Sequence, residues 1–421
     1  MKKKRNILMC LEQLNIGGIE TAVLTLCKGY IRKGYNVYIA AKNGIFTEQL
    51  EKMGVEIYPI KYEFINYYPL EKMEELVEFC KEKKISEIHI HQYPCILYWM
   101  PVCMKLKIPY VAYVHSIVTG TPQWFMQTFP VYKTALPIFF ENASKIVCIA
   151  ESTRNEIDSL FHIDHNHYKI IPNSLNMEDF NIIAPRSDIK TFGIVSRLSE
   201  EKMLSIKNSI DLYIEYSKIK KNTKLLIAGD GPMLKELKEY ARKGKNIKFL
   251  GAISNIPEFI MKLDALMGVD RCILEAIASK VFAIISSYDG KLNIVSNNNI
   301  NKASQQNFSG MNLEVTNPKD ILTKLQKITK SEYEKITNDN YEYVNTHYNV
   351  DNNLYMYDLN SDFTNDYLRV FKETNEYLKT IETLDYELNY KKNNSLYAKG
   401  KRFIKRVYNK IKRTIKKIIK Y

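Results

Sequence analysis

Residues 191–232 read TFGIVSRLSEEKMLSIKNSIDLYIEYSKIKKNTKLLIAGDGP, and this stretch decides the fold. Thr191–Val195 is a short apolar run of strand type, Ser205–Lys218 repeats its apolar residues at helical spacing, and Lys224–Ala228 is a second apolar run that closes on Gly-Asp-Gly-Pro. Strand, helix, strand in that order is a βαβ unit with parallel strands. Downstream the succession continues with helix Pro232–Lys243, strand Ile247–Leu250, helices Ile256–Leu263 and Arg271–Ser279, and strand Val281–Ile285. Upstream the same rhythm gives strands Asn6–Leu11, Val37–Ala41, Glu56–Ile60, Glu87–His91, Tyr110–Val114 and Lys145–Ile149, with helices such as Ile19–Lys33, Leu70–Lys83 and Ser152–Leu160 between them. A break at Asn181–Ser187, containing Pro185, separates the two series.

The chain is therefore expected to be α/β, with two doubly wound sheets in sequence. A length of 421 residues fits two domains. The expected organisation is residues 1–185 and 186–345 as the two Rossmann-like domains, 346–390 as a helical segment and 391–421 as a basic tail. Apolar residues at 45% and charged residues at 26% exclude a disordered chain. The net charge of +14 is concentrated: residues 391–421 hold 13 of the 61 basic residues and none of the 47 acidic ones. The preceding 390 residues carry only +1, so the body is not built to bind nucleic acid.

Seven cysteines fall singly in apolar stretches, which reads as core packing in a reducing cytoplasm. The basic start MKKKR is followed by five apolar residues before Glu12, too few for a signal peptide, and no later run is long enough to span a membrane.

Open parallel sheets bind ligands at the carboxyl ends of their strands, so candidate residues are sought there. Gly17 and Gly18 follow the first strand and open a helix, which suits a backbone approaching a ligand as well as a plain tight turn. The GxGxxG spacing of a dinucleotide site is absent. His115 ends the strand Tyr110–Val114, as a site residue or as a buried imidazole bonded to a neighbour. Arg197 and Lys202 leave the first strand of the second half together, the pairing of forked and compact cations that a diphosphate needs; a solvated pair is the competing reading. Gly229 permits a tight turn. Glu275, on a helix with an apolar side, suits either ribose hydroxyls or a salt bridge, and Gly290 permits close approach of backbone to phosphate. His162, His165 and His167 cluster in HIDHNH without a matching carboxylate or cysteine, so no metal site is expected.

Taken in order, GGIE, the strand-terminal His115, ASKIVCIAESTRNEI, IIPNSLNMEDF, VSRLSEEK, LLIAGDGP, IKFLGAI and LEAIA, with a glycine loop after it, resemble the retaining glycosyltransferases of family 4. The resemblance runs from about Asn6 to about Ser287 and implies the GT-B fold, in which two Rossmann-like domains face a central cleft. It implies that Arg197 and Lys202 hold the diphosphate of a nucleotide sugar, that Glu275 holds its ribose, and that Gly17, Gly18, Gly229 and Gly290 line the donor. It further implies that His115 faces the transferred sugar, that configuration is retained, and that no metal or other cofactor takes part. Where the family has a glutamate eight residues before Glu275, this chain has Met267. GVDR (268–271) resembles the Gly-x-Gly-Arg of a subgroup, with Asp270 for the second glycine, and NFSG (307–310) also resembles that subgroup. Arg271 is the candidate to replace part of the missing contact, and Ser174 stands where the family commonly has glycine.

At 100° per residue, Phe403, Ile404, Val407, Tyr408, Ile411, Ile415, Ile418 and Ile419 fall within one arc of about 160°, with the basic residues outside it or at its edge. Such a helix fits an anionic membrane surface, with residues 399–421 as the contact; a solvated tail or a helix packed on the protein are the alternatives. The combined expectation is a cytoplasmic, peripheral glycosyltransferase that adds sugar to a lipid-linked or oligosaccharide acceptor in surface-polysaccharide synthesis. A nucleotide-sugar epimerase of the same fold and a non-catalytic partner subunit are the alternatives.

Overall fold

The structure is a computed structural model, and it describes residues 5–115, 121–162, 168–184, 188–253 and 255–357 together with Asn375, Glu376 and Lys379. The first sheet holds β1 (Asn6–Gln13), β2 (Asn36–Lys42), β3 (Glu56–Pro59), β4 (Glu87–Ile90), β5 (Tyr110–Val114), β6 (Lys145–Cys148) and β7 (Tyr168–Ile170) in the order β3-β2-β1-β4-β5-β6-β7. Every pairing is parallel. The second holds β8 (Thr191–Val195), β9 (Lys224–Ala228), β10 (Ile247–Gly251), β11 (Ala265–Gly268), β12 (Phe282–Ser286) and β13 (Leu292–Ile294) in the order β10-β9-β8-β11-β12-β13. Only β13 runs antiparallel, against β12. Two doubly wound α/β sheets are thus present, as expected.

Strand alternation builds both cores. In β1, Leu8 and Cys10 face the helices Met73–Glu82, Tyr93–Leu106 and Tyr132–Glu141, while Ile7, Met9 and Leu11 face the helix Gly18–Arg32. All seven cysteines are buried free thiols. Helix Tyr93–Leu106 escapes sequence reading because 12 of its 14 residues are buried, so no polar face marks its period.

The domain boundaries shift from those expected. Leu175 and Ile183 already belong to the second core, and the Ile183 N–H donates to Ser279 O at 3.1 Å, so the crossover falls near Ser174 rather than at 185. Helix Lys330–Tyr348 runs past residue 345 as part of the second domain. The chain then crosses back: Val350 and Leu354 insert among the first domain's core residues against helix Gly18–Arg32. The two crossings touch, with Leu175 N–H donating to Tyr348 O at 2.7 Å and Val350 N–H donating to Leu175 O at 2.9 Å. Arg32 forks onto Asp351 at 2.8 and 2.9 Å, and Lys28 pairs with Asp179 at 2.6 Å. Among the described residues no helix is long and apolar enough to cross a membrane. Residues 391–421 lie outside the described residues, as do His165 and His167.

Burial, not charge, should hold the returning segment. Leu354→Ala should cost about 2–5 kcal/mol in urea denaturation, as for other buried leucines, whereas Arg32→Ala, which removes a half-exposed ion pair, should cost less than about 1 kcal/mol. Equal losses would contradict the assignment.

Candidate functional site

In each sheet the strand order reverses next to the first strand, between β1 and β4 and between β8 and β11, and such switch points open crevices at the strands' carboxyl ends. Gly17 and Gly18 follow β1 and begin the helix Gly18–Arg32. Gly17 is extended, with φ −170°, open to any residue; the space left by its missing side chain is filled by the Glu20 carboxylate. Gly18 faces open space.

His115 follows β5 and meets a second histidine that sequence reading passed over. His91 Nδ1 lies 3.0 Å from His115 Nε2, and the rings stack with Tyr113 between the strands. Behind them, Glu87 Oε1 lies 2.6 Å from His89 Nε2, and His89 Nδ1 lies 3.1 Å from the Tyr113 hydroxyl. Burial pushes His115 down to about 4 and His91 well below the usual imidazole range. Asn173 beside His115 opposes the effect, although His115 Nδ1 makes no hydrogen bond of ordinary geometry among the described residues. Both histidines line a cavity of about 360 Å³ with Glu12, Phe64, Tyr113, Trp124 and Phe125. Burial raises the Glu12 carboxyl above its usual range. The strand-end rule that singled out His115 applies equally to His91; Glu12 and Trp124 carried no such signal.

In the second domain, the loop after β8 is laced to the loop after β9. Ser196 N–H donates to Ala228 O at 3.1 Å and Leu198 N–H to Asp230 O at 2.9 Å. Gly229 has φ +146°, and a Cβ there would stand 1.8 Å from Ser196 O, so only glycine lets the loops close. Gly229 thereby positions Arg197, which is exposed and forms no ion pair among the described residues. Lys202 is partly buried; its Nζ lies 3.5 Å from Asp270 Oδ2 and 5.6 Å from the Tyr288 ring centre. The Tyr288 hydroxyl donates to the same Asp270 oxygen at 2.6 Å. Burial and Asp270 together raise the Tyr288 phenol well above its ordinary range, which keeps it a donor.

Helix Arg271–Ala278 begins after Asp270, whose φ of +61° and ψ of −137° are costly for a residue with a side chain, on the order of 1–3 kcal/mol. Asp270 N–H donates to Phe308 O at 3.1 Å, so the NFSG loop holds this conformation. Arg271 Nε bonds Glu275 Oε1 at 2.9 Å, Nη1 bonds Ser174 O at 3.2 Å, and Nη2 bonds Thr25 Oγ1 at 3.2 Å. Glu275 is buried, which raises its carboxyl above the usual range against the lowering effect of Arg271. Its Oε2 accepts no hydrogen bond among the described residues, so the salt bridge engages one oxygen of the carboxylate. Met267 is fully buried on the β11 face that packs with Ile194 and Ile284, so the carboxylate usual at this place has no counterpart here. Gly290, at φ +85°, closes a turn in which its own N–H donates to Ser287 O at 2.9 Å, and its carbonyl accepts from Asn208. The larger cavity, of about 770 Å³, lies between Glu151, Tyr343 and Asp351, away from Arg197 and Lys202. Among the described residues no cluster of three His, Cys, Asp or Glu side chains is arranged to hold a metal ion.

One crevice, after β8, carries the cations Arg197 and Lys202, the other, after β4 and β5, is lined by histidines and aromatics, and the two Rossmann-like domains that hold them make the fold one of the GT-B kind. The sequence model described as Glycosyltransferase Family 4 matches residues 16–179, and that described as Glycosyl transferases group 1 matches residues 176–344. The chain belongs to this family of glycosyltransferases. An uncharacterized glycosyltransferase of Methanocaldococcus jannaschii is 22% identical over 315 residues, 66% of this chain and 79% of its own length. The alpha-monoglucosyldiacylglycerol synthase of Acholeplasma laidlawii is 21% identical over 269 residues, 57% of this chain and 67% of its own. Anabaena HepE, solved in complex with UDP and glucose, superposes with a TM-score of 0.62 at 16% identity, covering 83% of this chain and 98% of that one. A glycosyltransferase from Rickettsia africae superposes with a TM-score of 0.59 at 14% identity, covering 88% and 98%.

The histidine stack makes a pH prediction. Unfolded histidines titrate near 6.5, while His115 in the fold does so at about 4. Between these values the unfolded chain binds a proton that the folded chain does not, so His115 lowers stability as the pH falls, by up to about 1.4 kcal/mol per unit. Glu12, with its raised carboxyl, acts in the opposite sense. His115→Gln should therefore lose stability less steeply than the wild type from about pH 6.5 to 4 in urea titrations. Identical slopes would mean that the folded imidazole accepts the proton normally.

Proposed function

We propose that the protein transfers a sugar from a nucleotide diphosphate sugar to a glycan acceptor with retention of configuration. The observation that carries this reading is the pair Arg197 and Lys202 at the carboxyl end of β8, on a loop fixed by Gly229, with Arg197 free to take a ligand. As the bond between the sugar C1 and the diphosphate oxygen breaks, charge accumulates on that oxygen, and two fixed cations stabilise it. The acceptor hydroxyl attacks C1 from the same face and gives its proton to the leaving phosphate oxygen. With the charge met by side chains, the step calls on no resident metal or cofactor. Glu275 keeps one oxygen for the ribose, and Arg271 sets the carboxylate's orientation. Gly17 and Gly18 border the donor from the other domain. The cavity beneath His115, with aromatic walls and a few polar groups, suits the transferred sugar and its acceptor. The Anabaena protein's complex with UDP and glucose makes UDP-sugars the first donors to try.

The acceptor in this reading is lipid-linked or an oligosaccharide, in cell-surface polysaccharide synthesis, and residues 399–421 place the enzyme on the inner face of the membrane. The apolar arc and basic flanks of the tail support this. So does a relative named for a glycolipid synthesis.

Arg197→Ala and Lys202→Ala should each lower turnover at least about tenfold while remaining folded. Glu275→Gln should chiefly weaken donor binding. Chromatography and mass analysis of products decide the class: sugar on an acceptor supports transfer, interconversion of donors without acceptor indicates an epimerase, and no turnover with any donor and acceptor indicates a partner subunit. Near-normal turnover in both cation variants would refute the site.

Truncation before Lys391 should abolish sedimentation with anionic vesicles and leave transfer to a water-soluble acceptor intact. Serines at Ile411, Ile415 and Ile418 should do the same at low salt, because each basic residue contributes only about 1 kcal/mol at such a surface. Equal binding to neutral vesicles would refute the electrostatic part.

A further inference from the structure

Three observations converge on Asp270. Its carboxylate is the anion nearest Lys202, at 3.5 Å, on the cation that the proposed donor diphosphate requires. The same oxygen accepts the Tyr288 hydroxyl at 2.6 Å, so the carboxylate is held rather than free to swing. The backbone that places it is left-handed, φ +61°, a conformation in which glycine is at ease and an aspartate is not, and a second loop fixes it through Phe308 O. A backbone strained in this way persists only where its surroundings fix it, and such positions cluster at functional sites.

We propose that Asp270 is an internal anion that occupies the diphosphate cradle, so that a donor must displace its carboxylate from Lys202. The proposal rests on Lys202 belonging to that cradle. Like charges converging on one ammonium oppose each other, so the carboxylate acts against every diphosphate, whatever base or sugar it carries. Asp270 thereby acts as a selector: donors bind only if contacts to base, ribose and sugar make up for the repulsion at the phosphates, and a bare diphosphate or the spent nucleotide is held weakly and leaves. Tyr288, relieved of its acceptor, would then be free to donate to a phosphate oxygen in the carboxylate's place.

The test is calorimetric binding of UDP and of inorganic pyrophosphate, which carries no base, to the full chain and to Asp270→Asn and Asp270→Gly. Asn keeps the shape and removes the charge; Gly removes the side chain and suits the backbone. Both variants should bind both probes at least about tenfold more tightly than the wild type, and should release UDP more slowly than it does. Lys202→Ala separates the two levels of the argument. If it leaves UDP and pyrophosphate binding unchanged, Lys202 is not in the cradle and the site reading fails. If it weakens binding while neither Asp270 variant strengthens it, the site stands and the internal anion is refuted. Magnesium supplies a further overturning result. If it tightens UDP on the wild type and not on Asp270→Asn, Asp270 is a cation ligand instead of a competitor.

Discussion

The bonds of Arg271 tie the molecule together. One guanidinium reaches Glu275 on its own helix, the Ser174 carbonyl at the crossover and the Thr25 hydroxyl on the first domain's first helix. A planar fork with five donors can satisfy three partners in three directions, which a lysine cannot. The orientation of Glu275, the position of the crossover and the approach of the helix that begins at Gly18 are all tied to one partly buried cation. Its ion pair is sheltered, and buried pairs of this kind are informative about arrangement rather than about net stability.

Much of this was legible in the sequence. Short apolar runs such as Ile7–Leu11 mark the strands, and their alternation with stretches of helical period marks two parallel sheets. The glycines of LLIAGDGP and the cations of VSRLSEEK could be placed because turns and strand ends have local chemical signatures. What could not be read was whatever lacks a local pattern. Helix Tyr93–Leu106 is apolar on all sides, β11 is four residues long and runs straight into Asp270, and β13 is a three-residue edge strand. Long-range partners were equally hidden: nothing around Val350 and Leu354 announces that they pack on the first domain, and nothing around Asp270 announces Lys202, 68 residues earlier.

Position 267 shows how one substitution redistributes a site. A methionine in β11 joins the sheet's core with Ile194 and Ile284, where a carboxylate would be buried among apolar side chains. Three residues on, Asp270 supplies a carboxylate of its own, which faces Lys202 and Tyr288.

The paired crossings at Leu175 and Asn349 have a mechanical consequence. Because the two strands that join the domains lie side by side and are hydrogen-bonded to each other, they form a double-leaved hinge. A single linker would let the domains twist and slide; two leaves fastened together leave one easy degree of freedom, rotation about the line through them.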